Sequence, residues 1–374
     1  MGKYVCKENM CTGCKACVDI CVKNAISIKD ELDTFNAIID QDKCIQCGAC
    51  YNVCPNNTLV ELKEPISWYQ GWALSSKERE TSSSGGFAAA LAKKFILNKG
   101  IVCSCTFENG DFIFKAVETE KEIRCFKGSK YVKSNPEGIY KKIKLYLKEN
   151  KKVLFIGLPC QVAAVKNFVG KISDQNLYTV DLICHGTPSI KLLNNYLQQY
   201  NINLNEAKEI SFRTKNLFNL KKDSKPIIDT RIQDRYTMTF LSSLNYTENC
   251  YSCKYAIEKR VGDITIGDSW GSELNIEEID KGISLILCQT KKGEELLKNL
   301  EFYYEKVNLK KAIENNHQLN HPAKVPLKRE QFFREIKDGK KYDSVVARIY
   351  PKICFKQEVK KILLKFMGNK SCRI

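Results

Sequence analysis

The sequence predicts a small α+β module followed by a larger α/β domain. Three observations carry this: a cysteine-rich repeat confined to the first 54 residues, strand-length apolar runs alternating with helix-like stretches after it, and a Ser/Gly-rich stretch opening the first long helix. The repeat is Cys11-Thr-Gly-Cys14-Lys-Ala-Cys17-Val-Asp-Ile-Cys21, copied as Cys44-Ile-Gln-Cys47-Gly-Ala-Cys50-Tyr-Asn-Val-Cys54-Pro55 at a period of 33 residues. Ala25 to Ile28 and Thr58 to Glu61 follow the two copies as candidate strands. Tyr69 to Leu74 has strand character, and Ser82-Ser83-Ser84-Gly85-Gly86 opens a helix over Phe87 to Leu97. Strands are then predicted at Ile101 to Cys105, Phe112 to Val117, Val153 to Ile156, Leu177 to Ile183, Ile264 to Ile266 and Ile283 to Cys288. Helices are predicted near Pro136 to Leu147, Val162 to Phe168, Ser189 to Tyr200 and Gly293 to Leu300. Residues 216–249 are polar and irregular and read as an insertion or mobile loop. Near the end, Val359, Ile362, Leu363 and Phe366 fall on one side of a helix and Lys360, Lys361 and Lys365 elsewhere, a basic amphipathic tail. The expected division is 1–62, 63–150, 151–335 and a tail at 336–374.

Composition narrows the function classes. The 374 residues are 43% hydrophobic, so a disordered or collagen-like chain is excluded. Sixty Lys and Arg against 43 Asp and Glu give a formal charge of +17, which points toward anionic partners without naming one. The start lacks the pattern of a secretory signal and no run of 18 apolar residues occurs, so a cytoplasmic, reducing address is expected. In such a compartment the nineteen cysteines are metal ligands, redox groups or packing rather than disulfides.

Cys-x2-Cys-x2-Cys-x3-Cys, twice, is the spacing of two-cluster ferredoxins, in which each 4Fe-4S cluster takes three cysteines from one run and the last from the other. Cys11, Cys14, Cys17 and Cys54 are thus assigned to one cluster, and Cys44, Cys47, Cys50 and Cys21 to the second. Tetrahedral zinc fits this pattern poorly. Val22 stands where a proline is expected after Cys21, and Cys6 reads as a free thiol. Further on, Cys160 follows a strand, Cys184 ends another, and Cys250 and Cys253 form a Cys-x2-Cys pair. Strand ends of an open α/β sheet gather ligand sites, so these four either hold a third cluster or divide into buried cysteines and a local zinc or redox pair. Cys103, Cys105 and Cys288 lie in strands and read as packing. The Pro-Cys-Gln tripeptide at 159–161 also occurs in cytosine methyltransferases, but no glycine-rich cofactor strand accompanies it, and no nucleic-acid partner is expected.

In order along the chain, the ferredoxin repeat, Ser82 to Gly86, Gly128-Ser-Lys130-Tyr131, Gly157-Leu-Pro-Cys160-Gln161, Cys184-His185-Gly186-x-Pro188-Ser189, Phe212-Arg213-x-Lys215, Cys250-x2-Cys253 and Gly262-Asp-Ile-Thr-Ile-Gly-Asp268-x-Trp270-Gly271 together resemble the beta subunit of coenzyme F420-reducing hydrogenases and dehydrogenases. The resemblance spans roughly residues 1–335. It implies an α/β flavin-binding domain, an iron-sulfur flavoprotein oxidoreductase with FAD, and a third 4Fe-4S cluster at Cys160, Cys184, Cys250 and Cys253. Ser83, Ser84, Gly85 and Gly86 would present N–H groups to a phosphate, Lys130 and Lys215 would neutralise charge, and Asp268 would orient a polar cofactor edge. His185 and Lys215 are the catalytic candidates, with a structural role for His185 the equal alternative. His317 and His321 lie four apart, but no carboxylate pair completes a metal site there. Expected partners are a ferredoxin-like protein or an oxidoreductase subunit, a small-molecule electron acceptor, and an inner membrane surface met peripherally by the tail. After Lys215 the chain runs Asn216-Leu-Phe-Asn where the family pattern has Gly-Trp shortly afterwards, so deazaflavin is not assigned as the substrate.

Overall fold

In the computed structural model, residues 2–170, 175–298 and 300–370 are described, the last six by backbone only. Strands β1 (Ile26–Asp30) and β2 (Phe35–Ile39) form an antiparallel hairpin beside two one-turn helices, Ala16–Ile20 and Ala49–Val53, one in each cysteine repeat. The second expected strand, Thr58 to Glu61, does not form. The chain there leaves the module, with Thr58 accepting from the Asn167 side chain at 2.8 Å, and Lys63 then exchanges both backbone hydrogen bonds with Arg260.

The main sheet has eight strands. They are β3 (Ser67–Ala73), β4 (Ile101–Glu108), β5 (Asp111–Val117), β6 (Val153–Gly157), β7 (Leu177–Leu182), and, after a small hairpin sheet of β8 (Ile210–Thr214), β9 (Leu217–Lys222) and β10 (Lys225–Pro226), β11 (Ile264–Asp268), β12 (Ser284–Cys288) and β13 (Phe302–Lys306). Their order is β13-β3-β12-β11-β7-β6-β4-β5. The middle four, β11, β7, β6 and β4, are parallel, and the flanking pairs are antiparallel. Alternation sets the two faces: Val102, Leu154 and Ile156 meet the helix Phe87–Leu97, whereas Ile101, Cys103, Val153 and Phe155 meet the helices Ile139–Lys148 and Pro159–Val169. The repeat helices pack on the outer side of those same two helices, so the cysteine module sits on one face of the sheet. Below the junction Arg260 binds Asp181 at 2.9 Å with both side chains buried. Removing one partner of such a pair costs about 3–5 kcal/mol.

Two expectations are corrected. Residues 216–249 are not a loose insertion: β9 and the helix Arg235–Leu241 bury Leu220, Tyr236 and Phe240. The stretch looked uniformly polar because several of its polar groups, among them Asn219, Asp234, Thr237 and Thr239, are internal. Asp234 caps the helix through Thr237 N at 2.8 Å and also accepts from Leu220 N. The segment 336–374 is not one tail either, since Tyr342, Val345, Val346 and Ile349 are core residues packed with Tyr196 and Phe332. The helix Pro351–Lys370 follows, exposing Phe355, Val359, Ile362 and Leu363. The side chains of Lys365 and Phe366, and residues 371–374, lie outside the described set, as does Asn299 of the Gly293 to Leu300 stretch.

Candidate functional site

The two repeats wrap their cysteines by the same device. Gly13 and Lys15 in the first, and Gln46 and Gly48 in the second, adopt left-handed backbone at matching positions. The N–H of Gly13 points at Cys11 Sγ and that of Gln46 at Cys44 Sγ, each at 3.4 Å. Amides aimed at sulfur favour thiolate and cluster-bound sulfur. The thiols lie close enough to act on one another across the module. Cys50 feels Cys21, Cys44 and Cys47, while Cys54 feels Cys14 across the module. Cys11, Cys14, Cys17 and Cys54 are buried; Cys21 and Cys44 are half-buried and Cys47 is exposed. Cys6 is free but not remote, being buried within hydrogen-bond reach of Cys11 and Cys54. Among the described residues no three His, Cys or carboxylate side chains close around a single ion; a four-iron cubane holds its thiolates further apart.

Cys160, Cys184, Cys250 and Cys253 come together. Cys160 sits at the N-terminal turn of the helix Pro159–Val169 and Cys184 just past β7, so both hang from the carboxyl ends of neighbouring parallel strands. Cys250 and Cys253 approach in the one-turn segment Glu248–Ser252 and its cap. All four line one cavity of about 160 Å³, closed on its other side by Met10, Thr12 and Asn56 of the cysteine module. Burial pushes the Cys184 thiol up to about 12, with the proximity of Cys250 and Cys253 adding to it.

His185 follows Cys184 and opens a second cluster of polar groups. Its Nδ1 lies 2.6 Å from the Gln318 amide nitrogen, which also meets His317 Nε2 at 2.9 Å. Gln318 Oε1 is buried without a partner, an acceptor left open. Burial lowers His185 to about 4, helped by His317, so the ring is neutral at ordinary pH. Sequence reasoning missed Gln318, which carries no motif; His317, read as a surface or satisfied histidine, is exposed and meets Gln318. At the carboxyl end of β11, Asp268 is held by Arg213 in a two-pronged contact of 2.6 and 2.9 Å. Asp268 therefore orients Arg213 rather than standing free.

A family model for the C terminus of the coenzyme F420 hydrogenase/dehydrogenase beta subunit matches residues 150–312, and one for a 4Fe-4S dicluster domain matches residues 10–58. Over residues 150–312 the chain is thus similar to the coenzyme F420 hydrogenase/dehydrogenase beta-subunit family. The dicluster match supports iron-sulfur clusters in the N-terminal module, and the C-terminal match relates the chain to oxidoreductases. No curated protein matches it. Among solved structures it is similar to a chain of the F420-reducing [NiFe] hydrogenase complex from Methanosarcina barkeri, at 18% identity and a TM-score of 0.48. That match covers 69% of this chain and 91% of the other.

In this chain the residues expected to hold a phosphate are partly committed elsewhere. A Cβ on Gly85 would stand 2.3 Å from Gly71 O and 2.6 Å from Ser284 N, so Gly85 serves close packing of the loop on β3 and β12. Ser84 donates to Ile283 O at 2.8 Å and Ser83 accepts from Ser129 N at 3.0 Å. Lys130 donates to the carbonyls of Phe126 and Lys127, both at 2.8 Å, away from the Ser/Gly loop. What remains fits an anion. Gly86, at φ +92°, leaves the helix Phe87–Leu97 without a side-chain cap. Lys215 lies beside that end on the carbonyls of Ser84 and Arg79, its amine lowered to about 8 by burial and by Arg79 and Arg213. Arg79, also absent from the sequence reading, stacks on Trp72 and pairs with Glu278 at the same place. Open helix N–H groups and the Lys215 amine suit a diphosphate, with Arg79 and Arg213 beside them each already paired with a carboxylate.

Proposed function

We propose that the protein is an iron-sulfur flavoprotein oxidoreductase that passes electrons between a one-electron donor protein, three 4Fe-4S clusters and FAD, and reduces a small organic acceptor or a deazaflavin. The observation that carries this reading is the sequence of thiol sets. The set with exposed Cys47 lies outermost and the buried set of Cys11, Cys14, Cys17 and Cys54 next, Cys17 and Cys50 being neighbours. The cavity of Cys160, Cys184, Cys250 and Cys253 follows, Cys14 and Cys160 being neighbours. His185, Arg213 and Asp268 come last. FAD, when bound, would convert single-electron arrivals into a two-electron transfer. The helix N-terminus at Gly86, Lys215 and Arg79 would hold its diphosphate. Arg213, fixed by Asp268, would keep a positive charge beside the site, and neutral His185, shared with His317 through Gln318, would adjust a proton there.

Charge does not favour an acidic donor at the cluster module: residues 1–62 hold six Lys, no Arg and eight Asp or Glu, so the basic excess lies in the rest of the chain. The outermost set is instead ringed by exposed Val22, Ile45 and Tyr51, which supports a weak, apolar docking contact. The decisive experiment mixes the reduced protein with deazaflavin, nicotinamides and ferredoxin under anaerobic conditions and follows reoxidation. Turnover of a small molecule by the isolated chain supports the oxidoreductase. Reoxidation by a redox protein alone makes the chain an electron-transfer subunit of a larger complex, the second reading. Purified protein without acid-releasable flavin after reconstitution with FAD overturns the flavin assignment.

Among the described residues no helix is long and apolar enough to cross a membrane. The helix Pro351–Lys370 sets exposed Phe355, Val359, Ile362 and Leu363 among Lys352, Lys356, Lys360 and Lys361, which supports peripheral contact with an anionic surface. Equal sedimentation with anionic and neutral vesicles would remove that assignment.

A further inference from the structure

Lys133 is a buried lysine that pairs with no carboxylate among the described residues. It follows the Ser129-Lys130-Tyr131 loop and is only 7% exposed. Its backbone N–H is fixed to Pro188 O at 2.8 Å, and its ammonium donates to Thr12 O at 3.0 Å and stands 5.0 Å from the centre of the Phe35 ring. A carbonyl and a ring face solvate an ammonium without neutralising it. Burying a charge on such terms is costly unless an opposite charge stands nearby.

The surroundings show where that charge would be. Thr12 lies between Cys11 and Cys14, and the Lys133 stem presses on the same turn, so that a Cβ on Gly13 would stand 2.7 Å from Lys133 Cδ. On its other side Lys133 lines the cavity of Cys160, Cys184, Cys250 and Cys253. It is near enough to act electrostatically on Cys14 in one set and on Cys160 and Cys184 in the other. The outermost set has no such neighbour in its lining, where Lys23, the one lysine, is exposed.

We propose that Lys133 is an electrostatic positioning residue between the buried ferredoxin cluster and the cluster at Cys160, Cys184, Cys250 and Cys253, holding both at a higher reduction potential than they would have without it. This rests on the third-cluster reading for one of the two centres. An added electron makes a cluster more negative, and a fixed cation beside it stabilises the reduced form. Sitting between two centres, one charge lifts both together, which keeps electrons moving inward from the exposed centre instead of stalling there.

The test uses the full chain, reconstituted anaerobically with iron and sulfide, as wild type and as Lys133→Met, Lys133→Gln and Lys133→Arg. Redox titration followed by electron paramagnetic resonance reads each centre, and iron is counted in every sample. The signal lost in Cys47→Ser identifies the outermost centre. In Lys133→Met and Lys133→Gln, two midpoint potentials are expected to fall by at least a tenfold change in the reduced-to-oxidised ratio, about 59 mV for a one-electron couple. The outermost centre is expected to stay, and Lys133→Arg to restore most of the shift. Unmoved potentials at full iron content overturn the proposal, as does an equal shift at all three centres. If both neutral variants lose iron from the flanking sites while Lys133→Arg keeps it, the need for charge is upheld; loss in Lys133→Arg as well overturns it. Should wild type hold iron for two clusters only, the third-cluster reading fails by itself. Lys133 then stands or falls on the potential of the Cys11, Cys14, Cys17 and Cys54 centre.

Discussion

The two cysteine repeats have the same spacing, the same left-handed turns and the same amide-to-sulfur contacts, yet their surroundings diverge. The first repeat lies against the sheet domain, its Cys11, Cys14 and Cys17 buried and its helix touching the helices Ile139–Lys148 and Pro159–Val169. The second turns outward, with Cys47 and Tyr51 exposed and Ile45 beside them. Spacing therefore settles which thiols can share a cluster, and packing settles what each cluster can do. Exposure gives one centre access to a partner at the cost of vulnerability, and burial gives the other protection and a tunable field.

The largest effect that would sharpen this contrast is on cluster content and stability. Cys17→Ser and Cys47→Ser should each remove one cluster's iron, but Cys17→Ser opens a hole at the module's contact with the sheet domain. Thermal midpoints should rank wild type, Cys47→Ser, Cys17→Ser, the last being less stable by on the order of several kcal/mol; equal midpoints would break the comparison. Next, a chelator under mild oxidation should bleach the module in two phases, the exposed centre roughly tenfold faster because attack follows exposure. Cys47→Ser should abolish the fast phase. A smaller effect, a few-fold, is expected on electron delivery: Val22→Lys with Ile45→Lys should slow reduction by a protein donor and leave reduction by dithionite unchanged. Slowing of both would mean the cluster itself was damaged.

The smallest effect exchanges one residue between the repeats. Asp19 in the first corresponds to Asn52 in the second. Asp19 is buried, its Oδ1 accepting from Gly138 N at 2.8 Å and its Oδ2 without a partner, and burial raises its pKa above the usual carboxylate range. A folded-state value above the unfolded one means stability is fully present below the unfolded pKa of about 3.9 and is lost as pH rises through the folded pKa. Asp19→Asn should thus raise the midpoint at pH 7 by roughly 1–2 °C and leave it unchanged near pH 3. A fall at pH 7 would show that the carboxylate is valued there, as a charge at the start of the helix Ile139–Lys148.

The cysteine spacing and the strand runs were legible because both are periodic, and periodicity survives in a single sequence. The eight main strands lie where apolar runs were read, apart from β13, whose Tyr303 and Tyr304 are half-exposed at the sheet edge. Residues 216–249 were misread because Asn219, Asp234, Thr237 and Thr239 are buried polar groups with hydrogen bonds inside the protein, which composition cannot separate from surface. Gly85 was expected to present its N–H to a phosphate, and it is instead the place where the loop packs against two strands. Lys133 and Gln318 gave no local signal at all, since what distinguishes them is company from other segments of the chain, Thr12 beside Lys133 and His185 beside Gln318.

The chain leaves the cysteine module straight into β3, which lies between β12 and β13. Those partners are made more than 200 residues later, roughly 10–40 s afterwards at ribosomal speeds of about 5–20 residues per second. Throughout that interval the module is complete while its tether has nothing to pair with. Nascent chains thus pass through a stage in which the thiols that the sheet domain will cover are still open to the machinery that delivers iron and sulfide, and closing the sheet ends that stage.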